Sequence, residues 1–455
     1  MLILIIFVPL IIIIINWINY NEKRNLILNI LYMYIGYYLI IVNNNNEEIN
    51  YLLNIKNNLI GIDGLNISLI WLVMIIVPIL NLIDDEKEKY KKSQIINIIG
   101  WLLIMVFISL DITLIYIFFE LLLVPLIILI INKKEASIRL FIYTLLTSII
   151  FIPLICILNI KYGNTNILLL KYMLNWNNEI IWILTFIIFL VKIPIIPLHT
   201  WLPFAHVEAS TTGSVILAGL ILKVGLFGLV RMNIGLLNDL SYYYSPIIIT
   251  LSIISIYYST LIIYRLTDIK RIIAYSSIIH MNLSIIGLYS NTLEGILGSL
   301  INNINHGLLS SAYFICIGII YRRYSIKIIT YFKGLISVMP LWTTLWIIIN
   351  IIGLSLPGTL AFIGEYLIFQ GAFFNNNLIG FLLVLNVFTS TIYIMKLINN
   401  ICFNKLSPYL LKTNDITQRE YFILLPLITF NIGLGLNPNL LNNLLLNNSL
   451  YLITL

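Results

Sequence analysis

Long apolar stretches separated by short polar loops follow one another along the chain. A helix needs about 20 residues to cross the roughly 30 Å hydrocarbon core of a bilayer. Fourteen stretches fit such a crossing: residues 2–15, 25–41, 65–82, 95–109, 112–131, 140–160, 179–198, 210–231, 246–264, 272–289, 295–320, 336–374, 378–403 and 421–436. The first is interpreted as a helix and not a signal peptide, because it lacks a basic flank and a small-residue cleavage site.

Two of these spans contain residues that break helices. The seventh span leads into Pro194, Pro197 and Pro203. Because proline removes a backbone donor, this helix should end just past Lys192. The twelfth span is longer than one crossing needs, and Pro357-Gly358 divides it. Irregular backbone at membrane depth is tolerated inside the protein or beside a watered cavity. Two interrupted helices five spans apart therefore indicate inverted repeats, with a pair of packing kinks as the alternative.

The pattern predicts an all-α polytopic membrane protein with about fourteen transmembrane helices and two inverted five-helix repeats, each containing a broken helix. Four segments follow from it. They are residues 1–92 with three N-terminal helices, 93–231 as the first repeat (helices 4–8, helix 7 broken), 246–403 as the second repeat (helices 9–13, helix 12 broken), and 404–455 with a C-terminal loop and helix 14.

Composition excludes a soluble protein. The 455 residues are 60% hydrophobic and 10% charged, whereas soluble domains carry roughly 25% charged residues. The mean hydropathy is +1.00. Cys156, Cys316 and Cys402 lie singly in apolar runs, so a disulfide framework, a CxxC redox pair and an iron–sulfur site are not expected. The chain has neither a GxGxxG nor a Walker A motif.

The lysines and arginines are distributed unevenly between the two sets of loops. Loops after odd-numbered spans hold 19 of the 26, loops after even-numbered spans hold 4, and Lys192, Lys223 and Lys396 lie inside spans. One missed or invented helix in mid-chain would destroy this asymmetry. The positive-inside rule therefore supports fourteen spans and puts both termini on the outer side. The basic loops are most simply topology determinants, with lipid head-group binding as a secondary role.

Six ionisable residues lie roughly 12 to 20 Å from a membrane face, near the middle of their spans. They are Glu120, Lys192, Lys223, His280, His306 and Glu365. Intramembrane charges are costly, so each is a candidate functional residue. Lys396 lies close to the basic end of its helix and is interpreted as snorkelling.

Two histidines lie in polar stripes with helical spacing. The stripes are Ser276-His280-Ser284 and Ser299-Asn302-His306-Ser310-Tyr313. Such stripes suit ordered water and proton hopping, while hydrogen bonding between helices is the alternative for the hydroxyls and amides. Histidine exists in both protonation states near neutral pH, which favours proton transfer at these two positions. Glu120 and Lys192 can each keep the other charged, and separating them, or bringing Lys223 into play, would change both protonation equilibria.

Other sites are not expected. His199 and His206, with Glu208 nearby, match no metal-ligand spacing. A haem between His280 and His306 is disfavoured because a cytochrome of this size usually needs four intramembrane histidines. No catalytic Ser-His-Asp or Cys-His set can be proposed. We expect no metal, no cofactor and no nucleic-acid partner for this chain.

Several segments together resemble a known family. They are residues 116–125 (YIFFELLLVP), 191–209 (VKIPIIPLHTWLPFAHVEA), 222–223 (LK), 274–281 (AYSSIIHM), 306–311 (HGLLSS) and 356–365 (LPGTLAFIGE). These segments resemble the antiporter-like, proton-pumping membrane subunits of NADH:ubiquinone oxidoreductase (respiratory complex I), in particular the mitochondrially encoded fourth subunit. The resemblance covers spans four to thirteen, while the first three spans match only in character.

The resemblance implies a proton-translocating subunit without a redox centre, belonging to an enzyme whose other subunits use NADH, FMN, iron–sulfur clusters and ubiquinone. It implies neighbouring membrane-arm and antiporter-like chains, lipids such as cardiolipin, and a multi-pass position in the mitochondrial inner membrane. The basic loops would then face the matrix and both termini the intermembrane side.

The resemblance also implies roles for the candidate residues. Glu120 and Lys192 would be the coupling pair, Lys223 the central lysine, His280 and His306 links of a polar axis, and Glu365 the outlet residue. One departure is Leu360-Ala361, where the family often has asparagine. A cation/proton antiporter of the same superfamily is the alternative function, and a purely structural scaffold is a third.

Overall fold

The computed structural model describes residues 2–18, 28–36, 51–52, 59–83, 89–130, 134–173, 178–408, 410 and 413–453. By its internal contacts the chain forms two compact units. Unit 1 comprises Met1–Ile193, Leu220–Tyr244 and Leu440–Leu455, and unit 2 comprises Pro194–Gly219 and Ser245–Asn439. The repeats proposed from the sequence, residues 93–231 and 246–403, are defined by internal symmetry. The division into units is defined by contacts and does not test them, so the repeats stay a prediction.

Helices dominate the first part of the chain. Along the chain these are α1 (Leu2–Ile18), α2 (residues 28–36), α3 (Gly64–Ile83), α4 (Lys89–Ile108), α5 (Ile112–Ile130), α6 (Lys134–Tyr162), α7 (Ile167–Met173) and α8 (Glu179–Lys192). Two short antiparallel strands, β1 (Tyr51–Leu52) and β2 (Gly61–Ile62), precede α3 and pair Tyr51 with Ile62. The rest of the second predicted span, residues 25–27 and 37–41, lies outside the described residues.

The remaining elements are also helical. They are α9 (Trp201–Glu208), α10 (Thr211–Ile216), α11 (Leu222–Gly228), α12 (Asn238–Arg265), α13 (Ile269–Tyr289), α14 (Leu293–Tyr324), α15 (Pro340–Gly353), α16 (Leu360–Asn375), α17 (Asn377–Cys402), α18 (Gln418–Leu436) and α19 (Asn439–Ile453). Two π-helical segments, Leu217–Ile221 and Leu229–Ile234, flank α11, and α10 through the second of them form one continuous span. Short 3₁₀ turns, Ile329–Tyr331 and Leu335–Ser337, lead into α15.

Ten helices in the described residues are long and apolar enough to cross a membrane. They correspond to predicted spans 3 to 6, 8 to 11, 13 and 14. The other four predicted spans contain shorter described helices: α1, α2, the interrupted seventh and the interrupted twelfth. Large apolar side chains such as Ile149 and Phe388 are exposed on these helices, as expected for surfaces that meet lipid or neighbouring membrane chains.

Both predicted helix breaks are confirmed. α8 ends at Lys192, and Ile193 takes an extended backbone conformation (φ −87°, ψ 108°). α15 ends at Gly353, and α16 begins only after Thr359, whose side chain accepts a hydrogen bond from Phe362 N. Between these two helices Gly358 has a φ of +93°, a conformation that glycine adopts without a side-chain clash. The local sequence therefore determines where both helices are interrupted.

Within each unit, some loops of the same predicted set bond to one another. In unit 2, the loops after spans 9, 11 and 13 bond to one another: Ile329 N donates to Thr267 O (2.9 Å), Gly334 N to Phe403 O (2.9 Å) and Ser407 N to Lys333 O (3.2 Å). In unit 1, two even-numbered loops and the segment before α3 meet: Leu110 N donates to Leu59 O (2.9 Å) and Ile167 N to Leu110 O (2.9 Å). We call the end of the unit 2 helices that carries its odd-numbered loops the basic end, after Arg265, Arg271, Arg322 and Lys405.

Several features were not predicted from the sequence. The apolar pattern predicts no helix at residues 167–173, where α7 lies, and none after the fourteenth span, where α19 follows. The π-helical segments beside α11 were also missed. All three escape a search for apolar stretches, because α7 is short, α19 is interrupted by asparagines, and a π-helical turn leaves no mark on hydropathy.

Close packing of α14 against α16 depends on small residues. A Cβ at Gly298 would lie 2.7 Å from Ile368 N and 2.8 Å from Gly364 O. Both neighbouring atoms belong to the backbone of α16, so they cannot move aside like a flexible side chain. Small residues of this kind allow helices to approach closely inside membranes. The crossing brings the backbone around Glu365 against α14.

We therefore expect Gly298→Ala to destabilise the protein by about 1–3 kcal/mol, the usual cost of overpacking. The control is Gly433→Ala on α18, where a Cβ would meet nothing within 4 Å. The measurement is the thermal unfolding midpoint of the purified assembly. Equal midpoints for the two variants would show that the α14–α16 crossing can relax.

Candidate functional site

The six candidate residues fall into two groups of three. Glu120, Lys192 and Lys223 belong to unit 1, on α5, at the end of α8 and on α11. His280, His306 and Glu365 belong to unit 2, on α13, α14 and α16. Each group is built around one of the two interrupted helices.

Glu120 and Lys192 lie close enough to attract each other electrostatically. Glu120 is partly buried, and its Oε1 is buried without a hydrogen bond from any described residue. Lys192 is only 3% exposed, and its Nζ lies 4.2 Å from the centre of the Phe119 ring. A cation over an aromatic face is stabilised by the ring quadrupole. The ammonium group is therefore held by an aromatic ring and by attraction to a nearby carboxylate.

Phe119 belongs to an aromatic cluster that surrounds this pair. Its ring lies 6.4 Å from that of Phe151, which in turn contacts Tyr116 and Phe189 at centroid distances of 5.3 and 6.2 Å. Phe151 and Phe189 are fully buried. These rings exclude bulk water, so the attraction between the two charges is screened less than it would be at a protein surface.

Lys223 is completely buried on α11, between the two π-helical segments. Glycines on this helix allow it to approach α8 closely. A Cβ at Gly225 would lie 2.7 Å from Ile193 Cγ1 and 3.2 Å from Lys192 Cβ, and one at Gly228 would overlap the Phe189 ring. π-Helical turns inside α-helices are frequent at functional sites. The helix that carries Lys223 thus packs directly against the end of α8, where Lys192 lies.

In unit 2, the carboxylate of Glu365 faces an imidazole. His280 Nδ1 lies 3.6 Å from Glu365 Oε1, and both side chains are nearly buried. The rings of His280 and His306 lie 5.9 Å apart, with an interplanar angle of 45°. The three residues predicted to form part of a polar axis are therefore brought together. Small rearrangements or one water molecule would link them for proton transfer.

Asn302 holds this group together. Its Nδ2 donates to His280 O (3.1 Å) and to Ser284 Oγ (2.9 Å), which joins α14 to α13. A Cβ on Gly364, next to Glu365, would lie 3.0 Å from Asn302 N. Asn302 on α14 thus bonds to α13, which carries His280, and packs against α16, which carries Glu365.

The two polar stripes have mixed roles. Ser276 donates to Ile273 O and Ser299 to Ile296 O, so these hydroxyls bond to their own helices. Asn302 and Tyr313 make contacts between helices, and Tyr313 OH donates to Asn350 Oδ1 on α15 (3.2 Å). Asn302 and Tyr313 therefore form hydrogen bonds between helices, which is the alternative role considered for polar residues in these stripes.

Sequence reasoning missed two polar clusters. Asn431 on α18 donates to Asn305 Oδ1 (2.8 Å) beside His306. In unit 1, the Arg231 guanidinium binds Asp63 and donates to Asn66 Oδ1 (2.8 Å). A search restricted to ionisable residues at mid-depth passes over both clusters, because asparagine is neutral and Arg231 lies at a helix end. Asparagines within apolar spans were the available signal.

The histidines outside these groups have aromatic neighbours. His199 meets Tyr258 edge to face at 5.5 Å, and His206 stacks on Phe314 at 4.7 Å. Lys396 is exposed and donates to Tyr264 O (3.3 Å). Among the described residues, no group of three histidine, cysteine or acidic side chains could hold a metal ion.

Comparison with known proteins gives the family. The family profile described as NADH:quinone oxidoreductase/Mrp antiporter, TM, matches residues 109–393. The chain is 40% identical over 394 residues to NADH-ubiquinone oxidoreductase chain 4 of Marchantia polymorpha, covering 84% of this chain and 80% of that protein. The chain belongs to this family.

Solved structures have the same fold. A chain of respiratory complex I from Thermus thermophilus with bound NADH superimposes with a TM-score of 0.89 at 21% identity, covering 100% of both chains. A chain of the Mrp complex from Dietzia sp. DQ12-45-1b gives 0.85 at 13% identity, covering 95% of this chain and 92% of that one. The predicted fold class and the family resemblance are confirmed. All six candidate residues lie within the part of the chain that the NADH:quinone oxidoreductase/Mrp antiporter profile matches.

The Asn302 network can be tested by a substitution of similar size. We expect Asn302→Leu to lower stability by about 1–3 kcal/mol, because it removes the two buried hydrogen bonds that the Asn302 amide donates to α13. The control is Asn399→Leu, which changes an exposed amide on α17. Thermal unfolding of the purified assembly reports the difference. Indistinguishable midpoints would mean that this amide does not tie α13 to α14.

Proposed function

We propose that this chain is a proton-translocating membrane-arm subunit of NADH:ubiquinone oxidoreductase. NADH oxidation and quinone reduction elsewhere in the complex would drive protonation changes in this chain, and these would move protons across the membrane. The observation that carries the proposal is the arrangement of buried ionisable side chains beside two interrupted helices, with His280 Nδ1 3.6 Å from Glu365 Oε1. Such groups are costly inside a membrane, so each one that is retained is a candidate for a role in transport.

The roles proposed for the residues follow the chemistry of each group. Glu120 and Lys192 form a carboxylate–amine pair whose protonation depends on their separation. Lys223, buried beside the end of α8, is the next proton carrier. His280 and His306 pass protons along the polar axis, since imidazole takes up and releases protons near neutral pH. Glu365 receives a proton from His280 and delivers it toward the outlet.

We infer that redox chemistry takes place in other subunits. NADH, FMN, the iron–sulfur clusters and ubiquinone would be used there, and this chain would contribute proton transfer to the same enzyme. The three cysteines of this chain lie apart, singly within apolar runs, which suits packing and not a cluster of thiolate ligands.

The proposed location is the mitochondrial inner membrane, with the basic loops on the matrix side and both termini on the intermembrane side. The excess of lysine and arginine in the odd-numbered loops supports this orientation. Its partners would be the other membrane-arm subunits, including antiporter-like chains that meet its exposed apolar helices. Lipids with anionic head groups, such as cardiolipin, would bind at the basic loops. The proposed repeats are residues 93–231 and 246–403.

Replacing Glu120 with Gln should abolish redox-driven pumping, because the amide cannot pair with Lys192 as an anion or accept its proton. The measurement is the number of protons moved per NADH oxidised by the assembled complex in sealed vesicles. Glu179→Gln, an exposed acid at the start of α8, is the control and should pump normally. Normal pumping by an intact Glu120→Gln complex would refute the proposed role.

Replacing Lys223 with Met should likewise stop proton transfer, since the thioether fills similar space without a titratable group. Lys396→Met is the matched control, because that lysine lies in a span but is exposed. Pumping is normalised to the FMN content of the purified complex, which separates a catalytic defect from poor assembly. A Lys223→Met complex that assembles and pumps like the Lys396→Met complex would favour a structural scaffold.

A cation/proton antiporter is the alternative, and the fold shared with a chain of the Mrp complex is consistent with it. The two functions differ in their partners and in what drives transport. Copurification of hydrophilic subunits with flavin and iron–sulfur centres would support the complex I function. Sodium/proton exchange by vesicles that contain the isolated chain would support the antiporter.

A further inference from the structure

A small cavity lies beside His280 in unit 2. Its polar lining comes from Ser276 and His280 on α13, Tyr313 on α14 and Tyr393 on α17, with Gly353 at the end of α15 completing one wall. It has room for about one water molecule. Cavities that hold water are polar and offer it two to four partners, and these side chains provide that number.

The cavity lies on the side of His280 that faces the basic end. Ser276 precedes His280 by four residues, about 6 Å along the helix axis, in the direction of Arg271. Tyr313 follows His306 by seven residues, about 10 Å, in the direction of Arg322. Beyond Tyr393, α17 continues to Cys402, and the loop with Lys405 follows. Three separate helices thus place hydroxyl groups on the same side of the imidazole.

The two tyrosines are connected to their surroundings. Tyr313 OH donates to Asn350 Oδ1 on α15 and stays available as an acceptor. Tyr393 interacts electrostatically with Tyr313 and with Glu365. Tyr393 also interacts electrostatically with Tyr264 on α12, and Tyr313 with Cys316 on α14. A phenol hydroxyl donates one hydrogen bond and accepts others, so it can relay a proton while remaining neutral.

We propose that this cavity, lined by Ser276, Tyr313 and Tyr393, is a proton entry from the basic end to His280. The inference rests on the proposed function and adds a route to it. A proton from the basic side reaches a water in the cavity, and that water protonates the His280 imidazole. The imidazole passes a proton to the Glu365 carboxylate, which becomes neutral. Each hydroxyl on the way accepts one proton and releases one, so the tyrosines end unchanged.

On this route the second unit takes up protons itself and does not depend only on protons delivered from Lys223. The neighbouring side chains of the cavity, Ile272, Ile394 and Leu397, are apolar. Within the cavity, the hydroxyl groups of Ser276, Tyr313 and Tyr393 are therefore the groups that can relay a proton to the His280 imidazole. Asn302, on the far side of His306 from Tyr313, has both amide hydrogens engaged in hydrogen bonds.

The test is the double variant Tyr313→Phe/Tyr393→Phe in the assembled complex. It keeps both rings and removes only the hydroxyls. We expect the protons moved per NADH oxidised to fall, and the rate of coupled pumping to drop about tenfold, equivalent to 1.4 kcal/mol in barrier height. Tyr257→Phe is the matched control: it removes a hydroxyl that bonds to Leu382 O, away from the cavity. It should pump like the wild type.

A second variant, Ser276→Leu, fills the cavity from α13 and should lower the same ratio while both tyrosine hydroxyls are kept. Both measurements are normalised to FMN content, since a structural defect would reduce the amount of complex and not its stoichiometry. Wild-type stoichiometry in the double variant and in Ser276→Leu would overturn the entry route. If Glu120→Gln abolishes pumping in the same experiments, the proposed function stands while the route fails.

Discussion

The cost of placing polar groups in hydrocarbon is the constraint on which this structure depends. A broken helix exposes backbone donors and acceptors, and an ionisable side chain adds a further penalty, so both must be surrounded by protein. In unit 1 the break after Lys192 is covered by α11, which can approach only because Gly225 and Gly228 carry no side chain. In unit 2 the crossing of α14 and α16 has the same basis at Gly298 and Gly364. The glycines therefore make the charged positions tolerable.

The two units use different chemistry at their interrupted helices. Lys192 lies over the Phe119 ring and is attracted to Glu120, without an ion pair in direct contact. His280 instead faces the carboxylate of Glu365 at 3.6 Å. A lysine–carboxylate pair responds strongly to separation, because both members carry full charge. An imidazole beside a carboxylate exchanges a proton with little change in position. The Lys192–Glu120 pair therefore suits coupling of protonation to a conformational change, and the His280–Glu365 pair suits proton transfer.

Most of the architecture could be predicted from the sequence because hydropathy and proline act locally. The spans, both breaks and the mid-depth position of His280, His306 and Glu365 followed from spacing along single helices, whereas their grouping in one polar axis was implied only by the family resemblance. The π-helical turns beside Lys223 and the bond between Asn431 and Asn305 did not, since they depend on how helices pack. Nothing in the local sequence says that an asparagine in the fourteenth span will reach the eleventh. Contacts of this kind connect residues far apart in the chain, and periodicity within a helix does not encode them.

Amides and hydroxyls explain how the histidines stay oriented in an apolar surrounding. The donors on Asn302 bind the backbone carbonyl of His280 and the hydroxyl of Ser284, which fixes α13 relative to α14. The Nδ1 atom of His280 makes no hydrogen bond to any described residue, so it can interact with Glu365. A histidine locked by strong hydrogen bonds at both nitrogens would resist changing its protonation state. Anchoring the backbone and leaving the ring available therefore reconciles a rigid helix packing with a side chain that must gain and lose protons.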